Sequence, residues 1–158
     1  MRITALILSL LATSAAAEPE FDHIAVYDGW YVYTDGEVCW IAAQSIFPER
    51  GDNSPKVQVI FNDEDDTGEL SVYDPSRYRD GGHIAIKADG EYFPLDKDDV
   101  DPEYAFDNTD GLMDAMSTAT EIEVQFTSRS GSLVTYRFSL ESFNVAAGHA
   151  RYHCSDYV

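Results

Sequence analysis

The chain has 158 residues, with 29 acidic side chains against ten Lys and Arg, and a formal net charge of −19. A surface of that sign repels phosphate backbones, which excludes nucleic acid as a partner, and it disfavours anionic membrane surfaces. Cationic partners stay open through long-range steering, and the same acidity keeps a small domain soluble with no partner at all.

The first stretch is MRITALILSLLATSAAAEPE. Arg2 is a short positive head, Ile3 to Leu11 is an apolar run, and Ala15-Ala16-Ala17 is a small-residue site. This is the pattern of a secretory signal peptide, with cleavage expected after Ala17. The run is too short for a transmembrane helix, and no later stretch approaches the length needed. Removing 17 of the 158 residues leaves 141, one ordinary domain with enough chain to bury a core.

Strand signals follow in close order. Ile24 to Tyr27 is apolar-rich and ends at Asp28-Gly29. Trp30 to Thr34 reads as a strand, and Asp35-Gly36 as a two-residue hairpin turn, because both positions tolerate positive φ. Glu37 to Ile46 carries apolar residues on both faces, Val38, Trp40, Ala42 and Ile46 against Cys39, Ile41 and Ala43. That suggests a central, well-covered strand with Cys39 inside the fold. Residues 47–55 are a loop by composition. Lys56 to Phe61 alternates, with Val57, Val59 and Phe61 on one face. An acidic loop, Asn62 to Gly68, leads to a short strand at Glu69 to Tyr73.

Arg77, Tyr78 and Arg79 form a local positive patch in an acidic protein, and Asp80-Gly81-Gly82 turns the chain. His83 to Ala88 is a strand, Asp89-Gly90 a second hairpin turn, and Glu91 to Phe93 the return. Pro94 to Asp107 is acidic and irregular. A short helix is expected from Asp110 to Ser117, capped by Asn108 or Thr109, with Leu112, Met113 and Met116 on its buried side. Glu121 to Ser128 alternates, with Ile122, Val124 and Phe126 inward. Ser130-Gly131 turns it, and Leu133 to Leu140 places Val134, Tyr136, Phe138 and Leu140 on one face. Ser142 can cap a last helix whose Phe143, Ala146, Ala147, Ala150 and Cys154 share one stripe.

Seven or eight short strands, three two-residue hairpin turns and two short helices predict an antiparallel β-sandwich, residues 18–158, behind a signal peptide at residues 1–17. Cys39 and Cys154 are the only cysteines, and in an exported chain two cysteines most simply make one disulfide. It would close a loop of 116 residues and stabilise by at most roughly 5 kcal/mol. No C-x-x-C is present to favour redox chemistry instead.

Trp30-Tyr31-Val32-Tyr33 ahead of Cys39, the Ser128-Arg129-Ser130-Gly131 turn, the run from Phe138 to Ala147 (FSLESFNVAA) and the C-terminal Cys154 resemble the invasion-associated locus B family of small exported alphaproteobacterial proteins. The DGLMDAM segment before the Glu121 strand fits the same pattern. The likeness covers Trp30 to Cys154. It implies an immunoglobulin-like β-sandwich, periplasmic or secreted, with some members associated with host-cell invasion and no catalytic motif to carry over. Where the family usually has glycine in its S-L-x-G-F motif, this chain has Ser142.

One segment has the spacing of a calcium loop. Asp63, Asp65 and Thr67 take positions one, three and five, Gly68 the sharp turn at six, Glu69 position seven and Asp74 position twelve. Asp at twelve in place of the longer Glu, and strand-like flanks, point instead to a solvated acidic turn. His149 and His153 lie four apart on the last helix, and two imidazoles alone do not complete a zinc site. His23 and His83 are isolated and read as structural. There is no G-x-S-x-G and no phosphate-binding glycine loop, and carboxylates are too abundant for any pair to mark a catalytic site. Of the many aromatics, Trp30, Tyr31, Tyr33, Trp40, Tyr73, Tyr78, Tyr92, Phe93 and Tyr104, most are expected in the core. Some could line a recognition surface beside Arg77 and Arg79.

The sequence therefore reads as a non-enzymatic, exported interaction protein that binds a protein or an envelope component. The alternatives are a calcium-dependent binding domain and, third, a hydrolase of unknown type. No cofactor other than calcium is implied, and neither the partner's identity nor an oligomeric state follows from the residues.

Overall fold

Two Asp-Gly pairs set hairpins where the sequence places them. Asp28 and Gly29 have φ of 43° and 90°, and Asp89 and Gly90 have 47° and 87°, the pair of left-handed residues that a tight hairpin turn needs. In the computed structural model, residues 23–35, 38–46, 55–62, 65–74, 82–98, 101, 103–107 and 111–155 are described. The signal peptide, Asp63, the Arg77-Tyr78-Arg79 patch and the Asn108-Thr109 cap lie outside them, as does the Cys154 side chain.

The first five strands are β1 (His23–Tyr27), β2 (Trp30–Thr34), β3 (Cys39–Gln44), β4 (Lys56–Asn62) and β5 (Asp65–Tyr73). Then come β6 (Ile84–Ala88), β7 (Glu91–Lys97), β8 (Tyr104–Asp107), helix α1 (Leu112–Thr118), β9 (Glu121–Thr127), β10 (Leu133–Ser139) and helix α2 (Phe143–Ser155). The strands pair antiparallel in the order β1-β2-β3-β4-β5-β8-β7-β6-β9-β10. The pairing runs without a break, with β7 shared between its two halves. β7 pairs with β6 through Glu91 to Pro94, then with β8 through Leu95 to Lys97. Pro94 sits at the changeover, where a residue without an N–H interrupts the ladder least.

The two ends of this sheet meet. The Trp30 indole N–H on β2 donates to the Ser139 carbonyl on β10 at 3.0 Å. The Ile46 N–H, just past β3, donates to the Arg137 carbonyl at 2.8 Å. The sheet is therefore curled, and its inner side chains form one cluster that runs from Trp30, Ile41 and Val59 to Ile86, Val124 and Phe138. Helix α2 packs on β1 to β4, burying Phe143, Ala146, Ala147 and Ala150 on the expected stripe.

Several expectations are corrected. Among the described residues, ten strands replace seven or eight. Residues 65–68 belong to β5 rather than to an acidic loop, and 104–107 form a strand within a stretch read as irregular. The β2–β3 hairpin does not turn on Asp35-Gly36: the Asp35 N–H donates to Val38 O at 3.3 Å, and its carboxylate accepts from the Val38 N–H at 2.9 Å. Asp35 is thus a flank of the turn, one position back. The β9–β10 turn has three central residues, since Ser128 N–H donates to Ser132 O, with Gly131 at φ 85°. Helix α1 is preceded by Gly111 at φ 95° with no side-chain cap. Ser142 adopts φ 60°, and its hydroxyl donates to Asp28 instead of capping α2.

Gly68 shows why β5 runs on through acidic residues. Between the pairs Ile60↔Glu69 and Asn62↔Asp65, Phe61 alone faces residues 66–68, so β5 bulges there. Gly68 has φ +79°, and a Cβ would come within 2.8 Å of Phe61 Cε1 and 2.9 Å of Val59 Cγ1. We expect Gly68→Ala to lower stability by roughly 2 kcal/mol or more, through both φ strain and overpacking. A urea midpoint unchanged from wild type would show that β4 and β5 do not approach this closely.

Candidate functional site: an aromatic outer face

Alternation sends every second side chain of β2 to β5 and β8 away from the core, and the register lines these up into rows. One row runs Tyr33, Trp40, Ile60 and Glu69; the next runs Tyr31, Ala42, Gln58, Ser71 and Phe106; the third runs Lys56, Tyr73 and Tyr104. The middle row is low, because Ala42 and Ser71 are small. Aromatic rings wall it on both sides.

The rings are ordered by one another. Tyr33 stacks on Trp40 at 5.4 Å and 10°, and Tyr31 lies 6.4 Å from Tyr33. The exposed His23 ring meets Tyr31 edge-on at 5.6 Å. Across the floor, Tyr73 is 5.1 Å from Tyr104, and Tyr104 stacks near Phe106 at 6.3 Å and 13°. Tyr33, Trp40, Ala42, Lys56 and Gln58 enclose a hollow of about 230 Å³. The Ser71 hydroxyl, buried in the floor, has no hydrogen-bond partner. Rings half-exposed on a strand surface, with amide and hydroxyl groups between them, can bury apolar area against a partner while fixing its orientation.

Carboxylates shape the field at one end. Burial raises the Tyr73 phenol above its ordinary range, and the Glu103 carboxylate adds to this by its charge and by accepting the phenol's hydrogen bond. Burial also raises Tyr104, followed by the charges of Asp101 and Glu103. Tyr33 is raised by burial and then by Tyr31.

Most of these aromatics were expected in the core, and the structure corrects that. Of those described, only Trp30 and Phe93 are buried; Tyr31 and Tyr92 are exposed, and Tyr33, Trp40, Tyr73 and Tyr104 lie between. Phe106 and Gln58 belong to the surface, and Ser71 lies buried beneath it, but none carries a sequence motif. Their outward alternation is the signal that could have found them.

Of the candidate calcium ligands, Asp63 and the Asp65 and Thr67 side chains lie outside what is described. Asp65, Thr67 and Glu69 are spaced along β5, and Asp74 follows its end. Glu69 is exposed and Asp74 is buried. Among the described residues, no three His, Cys, Asp or Glu side chains converge to hold a metal. His149 and His153 do share a face, 6.4 Å apart, but the His149 Nδ1 is hydrogen-bonded to the Tyr27 hydroxyl at 2.9 Å. Cys39 is fully buried on the inner side of β3, and no free thiol is present among the described residues. No described helix is long and apolar enough to cross a membrane.

No family model matches the chain, and no curated protein is significantly similar to it in sequence. The fold is similar to the crystal structure of invasion associated protein B from Bartonella henselae, with a TM-score of 0.60 and 13% identity. The match covers 80% of this chain and 94% of that one. At that identity the likeness shows the fold.

The tyrosine shifts carry a sign. Below pH 10, the ordinary phenol value, both folded and unfolded chains hold these protons, so these groups add no pH dependence to stability. Above it the unfolded chain releases them first, so the folded state binds more protons and loses stability as pH rises. Absorbance titration at 295 nm should show a late-ionising group of tyrosines. In Glu103→Gln, Tyr73 and Tyr104 should ionise earlier. An unshifted titration in that variant would contradict the placement of Glu103 beside the rings.

Proposed function

We propose that this chain is an exported, non-enzymatic interaction module that holds a protein or an envelope component against its aromatic outer face. The observation that carries the reading is the walled row on the sheet surface, with Tyr33 and Trp40 on one side and Tyr73 and Tyr104 on the other. Such rings lose little conformational entropy on binding and bring large contact areas, which is why they concentrate at recognition hot spots. The signal-peptide pattern at residues 1–17 supports export to the periplasm or beyond.

We further place the chain with the invasion-associated locus B proteins and read its curled sheet as an immunoglobulin-like sandwich whose halves stay joined through β7. The fold likeness supports this, and so does Ser142. Its φ of 60° is the left-handed conformation that glycine takes most readily, and glycine is the family's usual residue at that point of the motif.

We also propose the Cys39–Cys154 disulfide. Cys39 pairs across the ladder with Phe61, whose ring lies 4.9 Å from the Arg151 guanidinium of α2. Residue 154 follows Arg151 by one helical turn, so the helix brings its end toward β3 and β4. Helix α2 would then be tied to the strand it covers.

The interaction reading is tested by crosslinking the tagged mature protein in its native envelope and identifying captured partners by mass spectrometry, beside a charge-matched control. A partner captured by wild type and reduced about tenfold or more by Tyr33→Ala/Trp40→Ala is expected. Equal capture by the double variant, or no partner above the control, would contradict it. For the disulfide, thiol titration of the denatured, unreduced protein should find no reactive sulfur. Reduction should lower stability by roughly 2–5 kcal/mol. Two titratable thiols in the unreduced protein would remove the bond.

A further inference from the structure

Basic side chains are scarce here, ten against 29 acidic ones, and carboxylates readily reach them. Lys87 sits 3.7 Å from Glu123, and Arg137 lies 3.8 and 3.9 Å from Glu121 and Glu123. Arg151 differs. It is half-buried on α2, its guanidinium rests on the Phe61 ring, and its buried Nε–H finds no acceptor. Taking a guanidinium partly out of water with no acceptor for its Nε–H is unfavourable, so the position needs a reason.

Arg151 lines a groove of about 320 Å³ between α1 and α2. Phe143, Ala147 and Arg151 follow one another every four residues along α2, so they share one face of the helix. They give the groove an apolar part and a cationic part. Met113 of α1 adds to the apolar wall, and exposed Asp114 adds a carboxylate on the α1 side. Asn144 Nδ2 donates to the Ser117 carbonyl at 2.8 Å, which ties the two helices across the groove. The volume is that of a small-molecule site.

We infer that the α1–α2 groove binds a small zwitterion, an amino acid or dipeptide with an apolar side chain. The ligand's carboxylate meets the Arg151 guanidinium, its side chain lies against Met113, Phe143 and Ala147, and its ammonium is matched by Asp114. Charge selects this class. A simple anion is repelled by a body of net charge −19, whereas a zwitterion approaches without net charge and brings its carboxylate to the half-buried Arg151 guanidinium. The groove lies on the helical side of β1 to β4, away from the aromatic rows, so neither site depends on the other.

The test is titration calorimetry of the whole mature protein with the dipeptide Ala-Leu, its C-terminal amide, its N-acetyl form and free leucine. Saturable binding of Ala-Leu or of leucine below about 10 mM is expected. The amide, the acetylated form, Arg151→Gln and Asp114→Asn should each weaken binding about tenfold or more, while Arg137→Gln leaves it unchanged. No saturable heat from either ligand, or blocked dipeptides that bind as the free one does, would overturn the proposal. Circular dichroism checks that Arg151→Gln is folded. If it is not, exposed Asp114→Asn decides alone, and unweakened binding there overturns the assignment.

Discussion

The structure depends on Trp30. Its ring is fully buried, packs edge-on to Phe143 at 5.1 Å, and donates from the indole nitrogen to Ser139 across the seam where the two ends of the sheet meet. Trp30 is thus the point where β2, β10 and α2 touch at once. The nearby bond from the Ser142 hydroxyl to Asp28 ties the first hairpin turn to the start of α2. Without this seam a ten-stranded sheet would leave one face of its end strands unpaired with any core, and the helix would have no floor. An indole suits the position because it supplies both a large apolar surface and one donor for the carbonyl it covers.

Closure at Trp30 also decides what the other aromatics do. Because inward positions of β2 and β3 are taken by Trp30, Val32, Cys39 and Ile41, the alternate positions place Tyr31, Tyr33 and Trp40 outside. The recognition surface and the core are two readouts of one register. A slip of one residue in β2 would exchange them. Helix α2 covers the inner side of β1 to β4, with α1 beside it, so the Arg151 groove and the aromatic rows face different solvent. A chain this acidic can present both, since its field draws cations to the surface generally while local geometry sets what each site holds.

Much of this was legible. Asp28-Gly29 and Asp89-Gly90 turn as their φ tolerance requires. Val57, Val59 and Phe61, Ile122, Val124 and Phe126, and the stripe from Phe143 to Ala150 are all buried where their spacing puts them. The misses have physical causes. Asp65 to Gly68 has weak strand propensity, and it pairs only because Gly68 lets the chain bulge under Phe61. Strand β8 is four residues long and acidic at its end, too short for a periodic signal. The seam joins Trp30 to Ser139 and Ile46 to Arg137, far apart in the chain, and nothing local encodes it. Tyr33 and Trp40 read as core because hydrophobicity ranks residues without saying which face they occupy. Arg151 had no motif at all; only its buried Nε–H without an acceptor marks it.

The chain has two tryptophans, one assigned to the seam and one to the outer face. Hydrogen exchange of their indole N–H groups, followed by NMR on tryptophan-labelled protein, therefore reads the closure directly. A sheet closed at Trp30 predicts that its indole proton exchanges only by global unfolding, with the slowest backbone amides, while that of Trp40 exchanges faster through local opening. A Trp30 indole that exchanges as fast as Trp40 would mean that the seam is open, and the division into inner core and outer recognition face would fail with it.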